Sequence, residues 1–162
     1  MSSFNFSIDL PVRSEWKNVD LLRTSVQNCF VAIFSDLDGC HAISMVTGEL
    51  IENAIKYGHW DGETQSFRLR VSGGAGRATI TVENPIKAGD AGVADLLRTI
   101  AWLQDFPSAA EAYRARLMEI AAAPADSGTS RLGLVRVAYE GGCKLYAEPL
   151  GNTLAVSAAM EF

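Results

Sequence analysis

The stretch Glu49-Leu50-Ile51-Glu52-Asn53-Ala54-Ile55-Lys56-Tyr57-Gly58, ELIENAIKYG, decides how this chain is read. It closes a helix that begins at about His41, with Ile43, Val46, Leu50, Ala54 and Tyr57 on one stripe and Gly58 as the stop. At about 100° per residue, Asn53 lies about 40° from Glu49, Lys56 about 20° to the other side and Glu52 about 60°. Leu50, Ala54 and Tyr57 fall on the core side. A carboxylate, an amide and an ammonium therefore leave one rigid element in the same direction. An Asn carbonyl is a hard oxygen ligand suited to Mg²⁺, which takes few protein ligands and completes its shell with phosphate oxygens and water. A Glu beside it can deprotonate a hydroxyl, and a Lys can neutralise phosphate charge. The plain alternative is a solvated face on which Glu52 and Lys56 form an i,i+4 pair worth about 0.3–0.5 kcal/mol. That alternative leaves Asn53, a mediocre helix former, without a reason.

Outward from this helix, the chain has the bulk properties of one ordinary globular domain. It has 162 residues, 48% of them apolar and 20% charged. The net charge of −5 and the scattered Lys and Arg argue against a nucleic-acid surface, which needs clustered cations. No apolar run approaches the roughly 18 residues of a membrane span. The start, MSSFNFSIDLP, alternates like a strand and lacks the basic and apolar regions of a signal peptide. Cys29, Cys40 and Cys143 show no metal-ligand spacing and read as buried reduced thiols of a cytoplasmic protein.

Phe4, Phe6, Ile8 and Leu10 alternate as a strand that Pro11 stops. A helix over about 16–34 follows, with Leu22, Val26, Cys29 or Phe30, and Ile33 near helical spacing. Asp36-Leu37-Asp38-Gly39 is a turn or the start of the next helix. Phe67, Leu69 and Val71, then Ala78, Ile80 and Val82, mark two strands around a hairpin loop at Gly73-Gly74-Ala75-Gly76. Val93, Leu96, Leu97, Ile100 and Ala101 mark a helix. A second one begins at the capping box Ser108-Ala109-Ala110-Glu111. After the polar loop 123–130, a short helix from about Arg131 to Tyr139 and strands at about 143–148 and 153–160 end the chain. The order β-α-α-β-β, helical pair, α-β-β predicts an α+β, two-layer sandwich. Its mixed, mostly antiparallel sheet is covered by helices on one face.

The pattern Glu49, three residues, Asn53-Ala54, then Lys56 and Tyr57 resembles the N-box of the GHKL ATPase superfamily. With the element order, the chain resembles anti-sigma-factor serine kinases of the RsbW and SpoIIAB type. Its helical pair and the segment SRLGLVRVAYEGG are more similar still to SiaB-like regulators. The resemblance implies a Bergerat-type fold over the whole chain. It makes Glu49 the catalytic base and Asn53 the Mg²⁺ ligand, with Lys56 beside the phosphates of ATP. Asn84 stands where the superfamily carries an adenine-binding Asp, and Pro85 follows where glycines are usual. The other reading of Asn84 is a turn residue. Ser127-Gly128-Thr129-Ser130-Arg131-Leu132-Gly133-Leu134 resembles the second glycine box, which would bring Ser130, Arg131 and Gly133 to the phosphates. Ser130 reads equally as a helix N-cap.

Residues 87–122 are helical where relatives keep a flexible ATP lid. Trp102, Phe106 and Tyr113 there read either as a docking surface or as packing of the helical pair. His41 and His59 lack metal or triad partners in sequence and read as surface or structural residues. The resemblance implies a bacterial regulator that binds Mg·ATP and phosphorylates a Ser or Thr on a small STAS-like antagonist, or holds a sigma-factor-like protein, and it admits a homodimer. The competing function is a non-catalytic interaction module that kept the fold with a degenerate nucleotide site.

Overall fold

The computed structural model describes residues 3–10, 17–33, 37–60, 67–124 and 132–161. In chain order these form β1 (Phe4–Leu10), α1 (Lys17–Ile33), α2 (Leu37–Tyr57), β2 (Phe67–Gly74), β3 (Arg77–Pro85), α3 (Ala91–Gln104), α4 (Ala109–Ala122), α5 (Leu132–Tyr139), β4 (Lys144–Leu150) and β5 (Thr153–Glu161). The element order is the one the sequence implies, and Leu37-Asp38-Gly39 starts α2 rather than forming a turn before it. The sheet order is β1-β2-β3-β5-β4. All four pairings are antiparallel, so the sheet is not mixed.

Period-two alternation builds the sheet's two faces. Phe67, Leu69 and Val71 of β2, Ile80 and Val82 of β3, and Leu154, Val156 and Ala158 of β5 are buried. The register sets Val71 against Ile80, Leu69 against Val82 and Val82 against Val156, so these side chains form one continuous apolar face. The other face is polar. Arg68 bonds Asp9 at 2.7 Å, and the Thr81 and Ser157 hydroxyls meet at 2.9 Å. Pro149 lies in β4, an edge strand, where its missing N–H leaves no ladder gap inside the sheet.

Helices α1 and α2 cover the apolar face. Val19, Leu22, Val26 and Phe30 of α1 join Ile43, Val46, Leu50, Ile51 and Ala54 of α2 in one core. Phe30 has edge-to-face contacts with Phe4 and Phe6, at centroid distances of 5.7 and 6.1 Å. The inward residue of α1 is Phe30, fully buried, while its neighbour Cys29 is exposed. This corrects the expectation of three buried thiols: only Cys40 and Cys143 are inside. Burial pushes the Cys143 thiol up to about 12, which makes it an inert core group. Gly58 ends α2 by donating to the Ala54 carbonyl at 2.9 Å. Its φ is not left-handed, however. It must be small because a Cβ there would overlap the Trp60 indole, which itself donates to the Ile55 carbonyl.

The segment 87–122 is helical, as its periodicity predicts. Asp90 caps α3, its Oδ1 accepting from the Gly92 and Val93 amides at 2.8 and 3.2 Å, and Ser108 caps α4 by accepting from the Glu111 amide at 3.3 Å. The aromatics of this pair are half-buried and pack on one another and on α5. Trp102 packs edge-on to Phe106 at 4.6 Å, Arg116 lies 4.3 Å over Trp102, and Tyr113 stacks on Tyr139 of α5 at 4.8 Å. The exposed apolar residues of α4 are Leu117, Met118 and Ile120 instead.

The β2–β3 loop is the two-residue turn Ala75-Gly76, with φ of 51° and 80°, the type I′ geometry that matches strand twist. Ala75 carries a left-handed backbone that its Cβ disfavours. Ala75→Gly should therefore stabilise the fold by about 0.5–1 kcal/mol after the entropy cost of a glycine. In a thermal melt that is a rise of roughly 1–3 °C. A fall in Tm would contradict this turn geometry.

Candidate functional site

Burying Leu50, Ile51, Ala54 and Ile55 of α2 leaves the face between them outside the core. That face is one wall of a cavity of about 310 Å³. Glu49, Glu52, Asn53, Lys56 and Tyr57 come from α2, Asp95, Leu96 and Thr99 from α3, and Leu132, Gly133, Leu134 and Arg136 from α5. The volume lies at the lower end of the range for small-molecule sites. Glu49, Asn53, Lys56 and Gly133 are brought together here as the sequence suggests. Asn84 is not among the lining residues. It is 2% exposed, on the inward-facing parity of β3, and its amide donates to the Pro85 carbonyl at 3.1 Å. Ser130 and Arg131 lie outside the described residues.

Asn53 is the least settled polar group of the cavity. Its Nδ2 is buried and has no hydrogen-bond partner among the described residues. An unpaired buried amide costs about 1–3 kcal/mol, so Asn53 is badly explained as scaffolding. Lys56 does not pair with Glu52 among the described residues. Its ammonium lies 5.2 Å from the Tyr57 ring centroid, at the cavity wall. The solvated ion-pair reading of this face is therefore not what the geometry shows.

Glu49 lies under the start of α5. A Cβ on Gly133 would overlap Glu49 Oε2, so glycine there is what lets the carboxylate approach the first turn of that helix. Arg136 Nη1 donates to Glu49 Oε1 at 3.1 Å. One turn on, Glu140 takes the rest of the same guanidinium, with Nη2 at 3.1 Å and Nε at 3.3 Å. The Glu49 carboxyl is held above the usual carboxylate range, mainly by burial, then by Glu52. Arg136 and Arg23 oppose that rise and Glu140 adds to it.

The cavity holds three carboxylates, Glu49, Glu52 and Asp95, against two cations, Lys56 and Arg136. Such a site repels a bare polyphosphate and accepts one accompanied by a divalent cation. No group of three or more His, Cys, Asp or Glu among the described residues could hold a metal alone. The donor set thus fits an ion that takes one amide oxygen and fills its shell from its ligand and water, as Mg²⁺ does.

Sequence reasoning missed Arg136, Asp95 and Thr99. Arg136 had a signal: it is the one charge in LGLVRVAY, where Leu134, Val135, Val137 and Ala138 are all buried. Asp95 and Thr99 are an i,i+4 polar pair on α3, and Thr99 is 4% exposed with its hydroxyl donating to the Asp95 carbonyl. His41 bonds Gln27 at 3.2 Å, which ties α2 to α1 away from the cavity.

A five-stranded antiparallel sheet with helices on one face and a polar cavity between α2, α3 and α5 defines an α+β two-layer sandwich. The same fold occurs in a chain of the crystal structure of the SiaB–SiaC complex from Pseudomonas aeruginosa. The two superpose with a TM-score of 0.72 at 16% sequence identity, over 96% of this chain and 88% of that one. No family model matches the chain, and no curated protein matches it in sequence. Among the described residues, no helix is long and apolar enough to cross a membrane.

The raised Glu49 carboxyl makes a stability prediction. A carboxyl whose folded-state value exceeds its ordinary 4.5 binds protons more readily folded than unfolded, so its contribution is most favourable at low pH. It is lost as pH rises from about 4.5 through the folded-state midpoint. Glu49→Gln, neutral at every pH, should match or exceed the wild type in denaturant stability at pH 7. That advantage should shrink as pH falls from the folded-state midpoint towards 4.5 and be gone below it. A variant equally destabilised at pH 4 and pH 7 would show that Glu49 acts on stability only by packing.

Proposed function

We propose that the chain is a Bergerat-type regulator. It binds Mg·ATP in the cavity between α2, α3 and α5 and acts on a partner protein by phosphorylating a Ser or Thr of a small STAS-like antagonist. The observation that carries this reading is the cavity itself: Glu49, Asn53 and Lys56, the three residues the N-box resemblance singles out, line it together with Gly133 of the second glycine segment. The likeness in fold to a chain of the SiaB–SiaC complex supports a role exercised on a protein partner.

In this reading Asn53 gives an amide oxygen to Mg²⁺ and Lys56 meets phosphate oxygens. Glu49 accepts the hydroxyl proton of the partner's Ser or Thr as the new P–O bond forms and the bond to the ADP leaving group breaks. A carboxyl pushed upward by burial is better suited to that task near neutral pH than an ordinary one. Bound Mg²⁺ supplies charge neutralisation in a cavity that is otherwise one negative charge in excess.

A second reading, a non-catalytic interaction module with a degenerate nucleotide site, is favoured by Asn84. It stands in the adenine-recognition position of the resemblance and is buried against Pro85, off the cavity wall.

Two variants separate these readings. Asn53→Ala should remain folded, because the amide it deletes carries a nitrogen with no hydrogen-bond partner among the described residues. It should weaken Mg·ATP binding by calorimetry about tenfold or more. Unchanged affinity would remove Asn53 from the metal site. Glu49→Gln should bind Mg·ATP like the wild type and transfer no phosphate to a candidate antagonist, because it keeps size and polarity but loses basicity. Transfer at the wild-type rate would sink the role given to Glu49, and a wild type that binds no nucleotide leaves the interaction module standing.

A further inference from the structure

Glu49 and Arg136 are 87 residues apart in sequence, and Arg136 reaches the cavity from the last turn of α5. The backbone there is closely fixed. The Arg136 carbonyl accepts from both the Glu140 and Gly141 amides, at 2.7 and 3.3 Å. Gly142 then leaves the helix with φ of 60°. Val135 and Val137, on either side of Arg136, are fully buried. The base of the side chain is therefore anchored in the core, while its guanidinium is divided between two carboxylates. Glu140 takes Nη2 and Nε, and Glu49 takes Nη1. A planar fork shared in this way has little rotational freedom left.

We propose that Arg136 is a positioning residue for Glu49: its guanidinium, held in place by Glu140, fixes the Glu49 carboxylate against the first turn of α5 and favours its ionised form within the cavity. The assignment rests on the function proposed above only in what the ionised carboxylate is for. The positioning itself follows from the contacts.

The need for such a residue is physical. Glu49 is 18% exposed in its side chain, shares its own helix face with Glu52, and has Glu140 nearby, just past the end of α5. Burial and these two carboxylates all favour the protonated form. Arg136 on α5 and Arg23 on α1 are the cations that oppose them, Arg136 more strongly and through a direct hydrogen bond. From across the cavity Asp95 of α3 adds a further negative charge, and Lys56 lies one turn beyond Glu52 on α2. A protonated Glu49 accepts no proton, so without Arg136 the cavity loses its base at a higher pH than it does with Arg136 in place.

The test is titration of the Glu49 carboxyl by carbon-detected NMR in nucleotide-free protein, with the resonance assigned by its loss in Glu49→Gln. Arg136→Gln should raise the midpoint by about one unit, a tenfold change in the ionisation constant. Arg136→Lys, which keeps the charge but not the fork, should raise it less and stands in if Arg136→Gln does not fold. In phosphotransfer, the acidic limb of the rate–pH profile should move upward by the same amount while the alkaline limb stays. A midpoint unmoved in a folded Arg136 variant overturns the proposal whatever the transfer assay shows. A moved midpoint in a protein whose wild type transfers no phosphate keeps Arg136 as the positioning residue and removes the kinase reading instead.

Discussion

Everything at this site depends on one helix serving two surfaces at once. The apolar stripe of α2, from Ile43 and Val46 to Leu50, Ile51 and Ala54, is buried on the inner face of the sheet. That packing fixes the helix rotation. Once it is fixed, Glu49, Glu52, Asn53 and Lys56 have nowhere to point but the cavity under α3 and α5. A rotation of even one residue, about 100°, would exchange buried leucine for buried glutamate, at a cost no surface contact could offset. The rigidity of the site is thus a by-product of the core, and the polar face carries no responsibility for holding the helix.

The cost is visible in the electrostatics. Three carboxylates face two cations in a half-enclosed space, Glu49 is pushed towards its neutral form, and an amide nitrogen of Asn53 is buried unpaired. A sequence selected for stability alone would place neither group there. Together they leave a site that is unsatisfied among the described residues, which the proposed cation with its anionic ligand would complete. The Glu140–Arg136–Glu49 bridge reduces that cost without removing it.

Where contacts are local, the sequence was legible. Alternation located the five strands, helical spacing located α1 to α5, and the Glu49-to-Lys56 face followed from angular position alone. Parity would also have predicted the burial of Asn84: Ala78, Ile80 and Val82 share its face of β3. A reading by motif position overrode that signal. In α1 the choice between Cys29 and Phe30 turned on one residue of phase, and volume settled it, because the larger ring fills the space against Phe4 and Phe6. Arg136, Asp95 and Thr99 were missed for another reason, although Arg136 stood out as the one charge in LGLVRVAY. Their place in the site depends on how α3 and α5 lie against α2, and no local pattern encodes a contact 87 residues away. The aromatics of residues 87–122 were ambiguous for the same cause. Tyr113 is half-buried through its stacking on Tyr139 of α5, itself 47% exposed, a contact that no local pattern shows.

The central claim is that the polar face of α2 holds a metal-bound nucleotide. The most direct measurement replaces Mg²⁺ with paramagnetic Mn²⁺ and follows the amide spectrum of isotope-labelled protein as Mn·ATP is added. The account predicts broadening that begins at the Asn53 side-chain amide and spreads to the Glu49–Lys56 backbone and to Gly133, with β1 and the exposed face of α4 sharp. Broadening centred on any other surface, or none at concentrations that saturate a nucleotide site, would contradict it.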